Sequence, residues 1–357
     1  MKIGIIGLPQ VGKKTLFEVL TNHRPTESEL VSGKPIKGVA QIRDPRFDAL
    51  ASAYKPRKEA RARIDIETLP KLEKDTIAKG EIFTDIDSLD AICHVVRVFK
   101  DESVYHAEGS VDPKRDIDSV NSELLLHDLI FIEKRMERLD KKIAQIKDEA
   151  SIKEKNILAK LKAHLDGPSP LRLLELSADE KKAISGYPFV TRKTMFIALN
   201  VSEGDLKNTG PAEQLRRGCL PSGMDIMQVS AKVESEIAGL ESEEERMEFL
   251  KDLGIEEPAI NLLTRLCIKA LNLVSFFTVG PDEVRQWLIK AGSAAPEAAG
   301  AIHSDLQKGF IRAEVMKYGD FVNLGGEDKV RAAGRLYLKG RDYLVEDGDV
   351  IDIRFNV

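Results

Sequence analysis

The apolar run Lys2-Ile3-Gly4-Ile5-Ile6 breaks into Gly7-Leu8-Pro9-Gln10-Val11-Gly12-Lys13, and Leu16, Phe17 and Leu20 follow at helical spacing. A strand, a glycine loop and a helix in that order constrain the fold more than any other feature of the chain. Glycines at the Gly-x-x-x-x-Gly spacing let backbone N–H groups wrap a phosphate, and the lysine after the second one reaches the terminal phosphates. Such a loop ends in Ser or Thr, whose hydroxyl ligates magnesium. Lys14 occupies that place and Thr15 comes one residue late. The pattern predicts a nucleotide site built by Gly7, Pro9, Gln10, Val11, Gly12, Lys13, Lys14 and Thr15.

Further apolar runs at Ile64-Asp65-Ile66, Ala91 to Phe99, Met195 to Asn200 and Met224 to Ser230 read as buried strands of a mostly parallel sheet. The fold class is therefore α/β. Between the second and third of these runs, Leu125, Leu129, Ile132, Met136, Leu139, Ile143 and Ile146 alternate spacings of four and three, the seam of a long helix. A charged turn near Asp148 to Ser151 leads to a second apolar series at Ile157, Leu158, Leu161 and Leu165, which stops at Asp166-Gly167-Pro168. An antiparallel coiled-coil hairpin inserted into the α/β domain is expected. Near the C-terminus, Phe276 to Gly280 reads as a strand, and Ile351, Ile353, Phe355 and Val357 alternate with polar residues. Turn signals between them predict a small β-rich module with a helix or two.

The charge balance, Lys+Arg 54 against Asp+Glu 59 for a net −5, gives no overall positive field for nucleic acid, so no specific DNA contact is expected. Cys93, Cys219 and Cys267 are too scattered for a metal knuckle or a disulfide framework and read as buried thiols. No stretch reaches the roughly 20 apolar residues of a membrane span, and the N-terminus has no signal-like run. The expectation is a cytoplasmic protein without membrane attachment.

The loop from Gly7 to Phe17 resembles that of the YchF/Obg-like ATPase family, and the resemblance extends along almost the whole chain. Asp44-Pro45-Arg46-Phe47, His94-Val95-Val96-Arg97-Val98-Phe99 and Val284-Arg285-Gln286-Trp287 are similar to family segments. So are Ala294 to Gly300, Ile302-His303-Ser304-Asp305 and Lys308 to Ala313. The resemblance implies a P-loop GTPase-like domain over residues 1–118 and 188–272, a coiled-coil insertion over 119–187, and a TGS domain of β-grasp shape over 273–357. It further implies ATP in preference to GTP, because Asn200-Val201-Ser202-Glu203 stands where a GTPase carries Asn-Lys-x-Asp, and the aspartate that reads guanine is lost. Ser230 and Ala231 match the next loop on the base side, where backbone N–H groups would face the purine.

Other phosphate-side motifs depart from the family. Asp65-Ile66-Glu67-Thr68-Leu69 stands for Asp-x-x-Gly-Leu, so Thr68 replaces the glycine that meets the γ-phosphate, while Asp65 is expected to orient magnesium. Ser32 aligns with the metal-facing hydroxyl of the first switch, and the second switch, Pro70 to Lys79, lacks the expected glycines. Leu69 takes the place of a water-positioning glutamine, and His106 matches a family histidine on a mobile loop that orients the attacking water. His94, on a buried strand, reads as a satisfied core histidine. The implied activity is a weakly hydrolysing ATPase switch, binding ATP or ADP with Mg2+ and working on the ribosome or its RNA. The competing reading is a catalytically degenerate protein acting through its hairpin and TGS surfaces, since Lys14, Thr68 and the second switch all disturb the same end of the nucleotide.

Overall fold

Short runs of β-branched and aliphatic residues, apolar on both faces, become the interior of a parallel sheet. The computed structural model describes residues 1–72, 80–146, 148–167, 169–218, 224–255 and 257–356. Residues 73–79 of the second switch, Pro168, Cys219, Glu256 and Val357 lie outside the described residues. Two units are distinguished, residues 1–38 with 65–260 and residues 39–64 with 261–357. Strands are numbered along the chain: β1 (Lys2–Ile6), β2 (Ile36–Gln41), β3 (Lys58–Ala60), β4 (Arg63–Thr68), β5 (Ala91–Arg97), β6 (Thr194–Asn200) and β7 (Ile226–Val229). β8 (Leu273–Thr278), β9 (Glu283–Lys290), β10 (Phe310–Lys317), β11 (Leu336–Lys339) and β12 (Asp349–Phe355) follow.

The first unit is built on the sheet order β2-β4-β1-β5-β6-β7. β1 runs parallel to β4 and β5, β5 to β6, and β6 to β7. Register aligns the strand ends: Ile6 lies beside His94, Arg97 beside Asn200, and Asn200 beside Val229. The carboxyl ends of β1, β5, β6 and β7 therefore meet one edge, where ligands bind in open α/β sheets. Val96, Ile197, Leu199 and Ile226 pack against Ile117, Ala212 and Leu215 from helices over one face.

The helices Pro113–Gln145 and Glu149–Leu165 form the expected hairpin. Asp112 caps the first through the Arg115 N–H with Pro113 in its first turn, and Asp148 caps the second through the Ala150 N–H. Ile132, Leu139, Leu158, Leu161 and Leu165 are buried in the seam, and Leu125, Leu129, Met136 and Ile143 flank it. Ile146, the last residue of the predicted seam, is exposed because the helix has ended beside the turn. At the hairpin base, the fully buried Asp128 carboxylate accepts from the N–H groups of Val190 and Thr191 at 3.0 and 2.9 Å and from the Thr191 hydroxyl at 2.6 Å.

The second unit holds the sheet β11-β10-β12-β8-β9-β3. β10 is antiparallel to β11 and β12, and β12 is parallel to β8. Phe276, Val315, Ile351 and Ile353 on one face pack with Ala295, Ala298 and Ala299 of the helix Ala295–Ile302. Residues 39–64, assigned by sequence to the nucleotide domain, belong to this unit: β3 pairs with β9, and Phe47 and Leu50 pack with Phe277 and Met316. The short strand Lys58–Ala60 carries no apolar run, which is why the sequence pattern misses it.

Candidate nucleotide site

Gly7 leaves β1 at φ 152°, Gln10 turns at φ 59°, and Gly12 enters the first helix, Lys13–Thr21, at φ 94°. A Cβ on Gly7 would run into the Val95 carbonyl, and one on Gly12 would overlap the Asn200 amide. Both glycines are therefore required by left-handed backbone and by close approach. The helix starts without a side-chain cap and without an acidic residue in its first turn. Its first N–H groups and its positive dipole end are left to an anion. The buried Lys13 arches back, its ammonium donating to the Gly7 carbonyl and, at 3.4 Å, to that of Leu8.

Asn200 ends β6 and is 5% exposed. Its Nδ2 donates to the Val11 carbonyl at 2.9 Å, and its Oδ1 accepts from the Ala231 N–H at 3.0 Å. One side chain thus ties the phosphate loop to the loop after β7. Its amide is engaged by backbone on both sides, so what it does here is brace the two loops. The Ala231 N–H, expected to face a purine, is taken by this brace. Ser230 is buried and caps the helix Ala231–Gly239 by accepting from the Val233 N–H. Glu203 begins an exposed 3-10 turn directly after β6, on the same edge.

A cavity of ≈530 Å³ opens over the loop, lined by Leu8 to Thr15, by Glu29, Leu30, Gly33, Lys34 and Ile36, and by Thr68, Leu69, Pro70 and Lys71. It brings together Pro9, Gln10, Val11, Gly12, Lys13, Lys14, Thr15 and Leu69 from the predicted set. Lys14 stands on the rim with its side chain 51% exposed, 3.9 Å from Glu18 one turn along. Lys34 and Lys71 also line it, which spacing alone did not reveal, since each lies in a segment without regular pattern.

Both residues predicted to serve magnesium lie elsewhere. Asp65 is in register with Lys2, at the amino end of β1, about 13 Å of strand from the loop that leaves its carboxyl end. Its carboxylate is 55% exposed and 3.7 Å from the N-terminal ammonium. The spacing of the motif along the chain carries no information on register, which brings Thr68 and Leu69 to the loop instead. Ser32 caps the helix Glu27–Val31, its hydroxyl donating to the Glu29 carbonyl at 2.7 Å and accepting from the Lys34 N–H. Among the described residues no cluster of three or more His, Cys, Asp or Glu is arranged to hold a metal.

His106 does not line the cavity. It is buried after β5, its Nδ1 accepting from the Glu108 N–H, which leaves Nε2 to donate to Asp116 at 3.1 Å. Arg115 also pairs with that carboxylate at 2.8 Å. The preceding turn is held by Arg97, which donates to the carbonyls of Phe99, Asp101, Val104 and Tyr105 and stacks 4.4 Å over Phe99. His94, opposite Ile6, is buried as expected but not satisfied: neither ring nitrogen has a hydrogen-bond partner. Burial, and next the charge of Lys13, push its pKa down to about 3.

Comparison with known proteins follows the same outline. The family profile YchF-GTPase_C, described as a protein of unknown function (DUF933), matches residues 273–356. The chain is 41% identical to the ribosome-binding ATPase YchF of Pasteurella multocida (strain Pm70), over 100% of this chain and 99% of that protein. It is 36% identical to human Obg-like ATPase 1, over 100% of this chain and 92% of that one. The solved structure of the Schizosaccharomyces pombe YchF GTPase superposes with a TM-score of 0.83 at 31% identity, covering 99% of this chain and 97% of that one. With full-length similarity at these levels, the chain belongs to the YchF/Obg-like ATPase family.

Proposed function

We propose that this protein is an ATP-binding switch of slow turnover that acts on the ribosome, with the α/β part of the first unit, residues 1–38, 65–118 and 188–260, binding ATP or ADP, and the hairpin 119–187 and a TGS domain 273–357 serving as docking surfaces. The observation that carries the reading is the Asn200 brace joining an uncapped helix N-terminus and a buried lysine to the base-side loop. That arrangement is costly to retain unless an anion is bound. Relatives named ribosome-binding ATPases support the partner. Loss of the guanine-reading aspartate, with Glu203 in its place, supports adenine. Membrane attachment is not part of the proposal, and no described helix is long and apolar enough to cross a membrane. The cytoplasm is the compartment that fits a ribosomal partner.

Hydrolysis is assigned to Leu69, which lines the cavity, and to His106, which reaches water there only after the Asp116 contact opens. The displacement of Asp65 and Ser32 favours a second reading, in which ATP is bound but not cleaved. Competition titration of ATP against GTP, followed by single-turnover hydrolysis with and without ribosomes, separates them. The proposal expects ATP to win and turnover to fall about a hundredfold or more in His106→Ala, the usual scale for a positioned acid–base group. ATP binding with no turnover supports the second reading, and a preference for GTP removes the adenine assignment. Co-sedimentation that weakens steeply with salt would place the contact on RNA phosphates.

A further inference from the structure

We infer that the cavity over the phosphate loop takes a nucleoside triphosphate in its metal-free form, with Lys14, Lys34 and Lys71 supplying the counter-charge; this rests on the nucleotide reading above. Phosphate-loop proteins hold magnesium with the loop hydroxyl and a carboxylate at the end of a neighbouring strand, the ion then bridging phosphate oxygens. The residues present do not fit that group. The loop position is Lys14, the Ser32 hydroxyl is engaged by the turn it caps, and the Asp65 carboxylate lies beside Lys2, at the amino end of β1 and away from the loop.

Among the described residues one carboxylate lines the cavity, that of Glu29, and it is committed to a capping box, accepting from the Thr26 N–H at 2.8 Å and the Thr26 hydroxyl at 2.9 Å. The hydroxyls of Thr15 and Thr68 remain, neutral and, among the described residues, without a free carboxylate beside them to complete an octahedral set. Against these stand the ammonium groups of Lys13, Lys14, Lys34 and Lys71. The lining is strongly cationic without any ion.

An ammonium is a compact charge with donors on a flexible stem, suited to phosphate oxygens but unable to clamp two phosphates in fixed octahedral geometry. Such a site neutralises the bound polyphosphate well and organises its cleavage poorly. Magnesium carried in on the nucleotide would also compete for the same oxygens. Free ATP should therefore bind at least as tightly as its magnesium complex.

Calorimetric titration of the full chain with ATP, once in EDTA and once in excess magnesium, tests this. The expected result is equal or tighter binding in EDTA. Lys34→Ala and Lys71→Ala, both at exposed positions, should each weaken metal-free ATP and inorganic tripolyphosphate about tenfold, as the loss of one charge-assisted phosphate contact does. Lys14→Ser, which restores a hydroxyl, should shift the preference back towards the magnesium complex. Binding that disappears in EDTA overturns the inference while leaving the nucleotide reading intact, as does unchanged metal-free affinity in both alanine variants. No ATP binding in either buffer removes the nucleotide reading and the inference together.

Discussion

Replacing Asn200 by alanine should uncouple the two loops that form the nucleotide site. The side chain is 5% exposed and makes two hydrogen bonds, to the Val11 carbonyl at 2.9 Å and from the Ala231 N–H at 3.0 Å. Its loss leaves one buried acceptor and one buried donor without partners, at about 1–3 kcal/mol each. Since the void beside Gly12 admits water to part of this surface, the expected loss is about 2–4 kcal/mol in the first unit. If about 2 kcal/mol of that must be recovered to order the loop around a ligand, ATP affinity falls about 30-fold. Hydrogen exchange reads the effect locally: the amides of Ala231 and of residues 11–13 should lose protection while those of β5 keep it. Urea unfolding of the first unit and an ATP titration give the global numbers. An unchanged exchange rate at Ala231, with affinity within about twofold of the parent, would refute the brace.

Three further outcomes follow from groups buried elsewhere. His94 binds no proton in the folded chain until pH nears about 3, whereas an unfolded histidine protonates near 6.5. Between those values the unfolded chain holds more protons, so stability falls as pH drops, at up to about 1.4 kcal/mol per pH unit, and His94→Leu should flatten the urea midpoint between pH 7 and pH 5. Asp128→Ala strips the three hydrogen bonds that hold Val190 and Thr191, besides the contact with His127, and limited proteolysis should cut near Val190 and Thr191 faster than in the parent. Burial pushes the Cys267 thiol up to about 12, so it should resist an aromatic disulfide reagent at pH 8 until denaturant is added.

How much of this was legible beforehand depends on the range of the signal. The strand–loop–helix opening, the hairpin seam and the β12 strand are local patterns found where their residues predict, although the β12 alternation holds only at Ile351 and Ile353, Phe355 being exposed at the strand end. The glycines were legible for a local reason too, because a positive φ excludes most side chains. Lys34, Lys71 and the Arg97 anchor were not. Their roles depend on which segments fold together, and no spacing in the chain encodes that.

Residue types and their order along the chain were enough to establish the α/β class, the phosphate loop, the family and the unusual Lys14, because each of these is a property of contiguous residues. Only the tertiary structure decided what stands beside the phosphate loop. A parallel register of β4 on β1 set Asp65 against Lys2 and brought Thr68 and Leu69 to the loop, and one capped turn drew the Ser32 hydroxyl inward to Glu29. Register and side-chain commitment are set by partners far away in sequence. A motif can therefore keep its letters while the fold moves its carboxylate to the other end of the sheet.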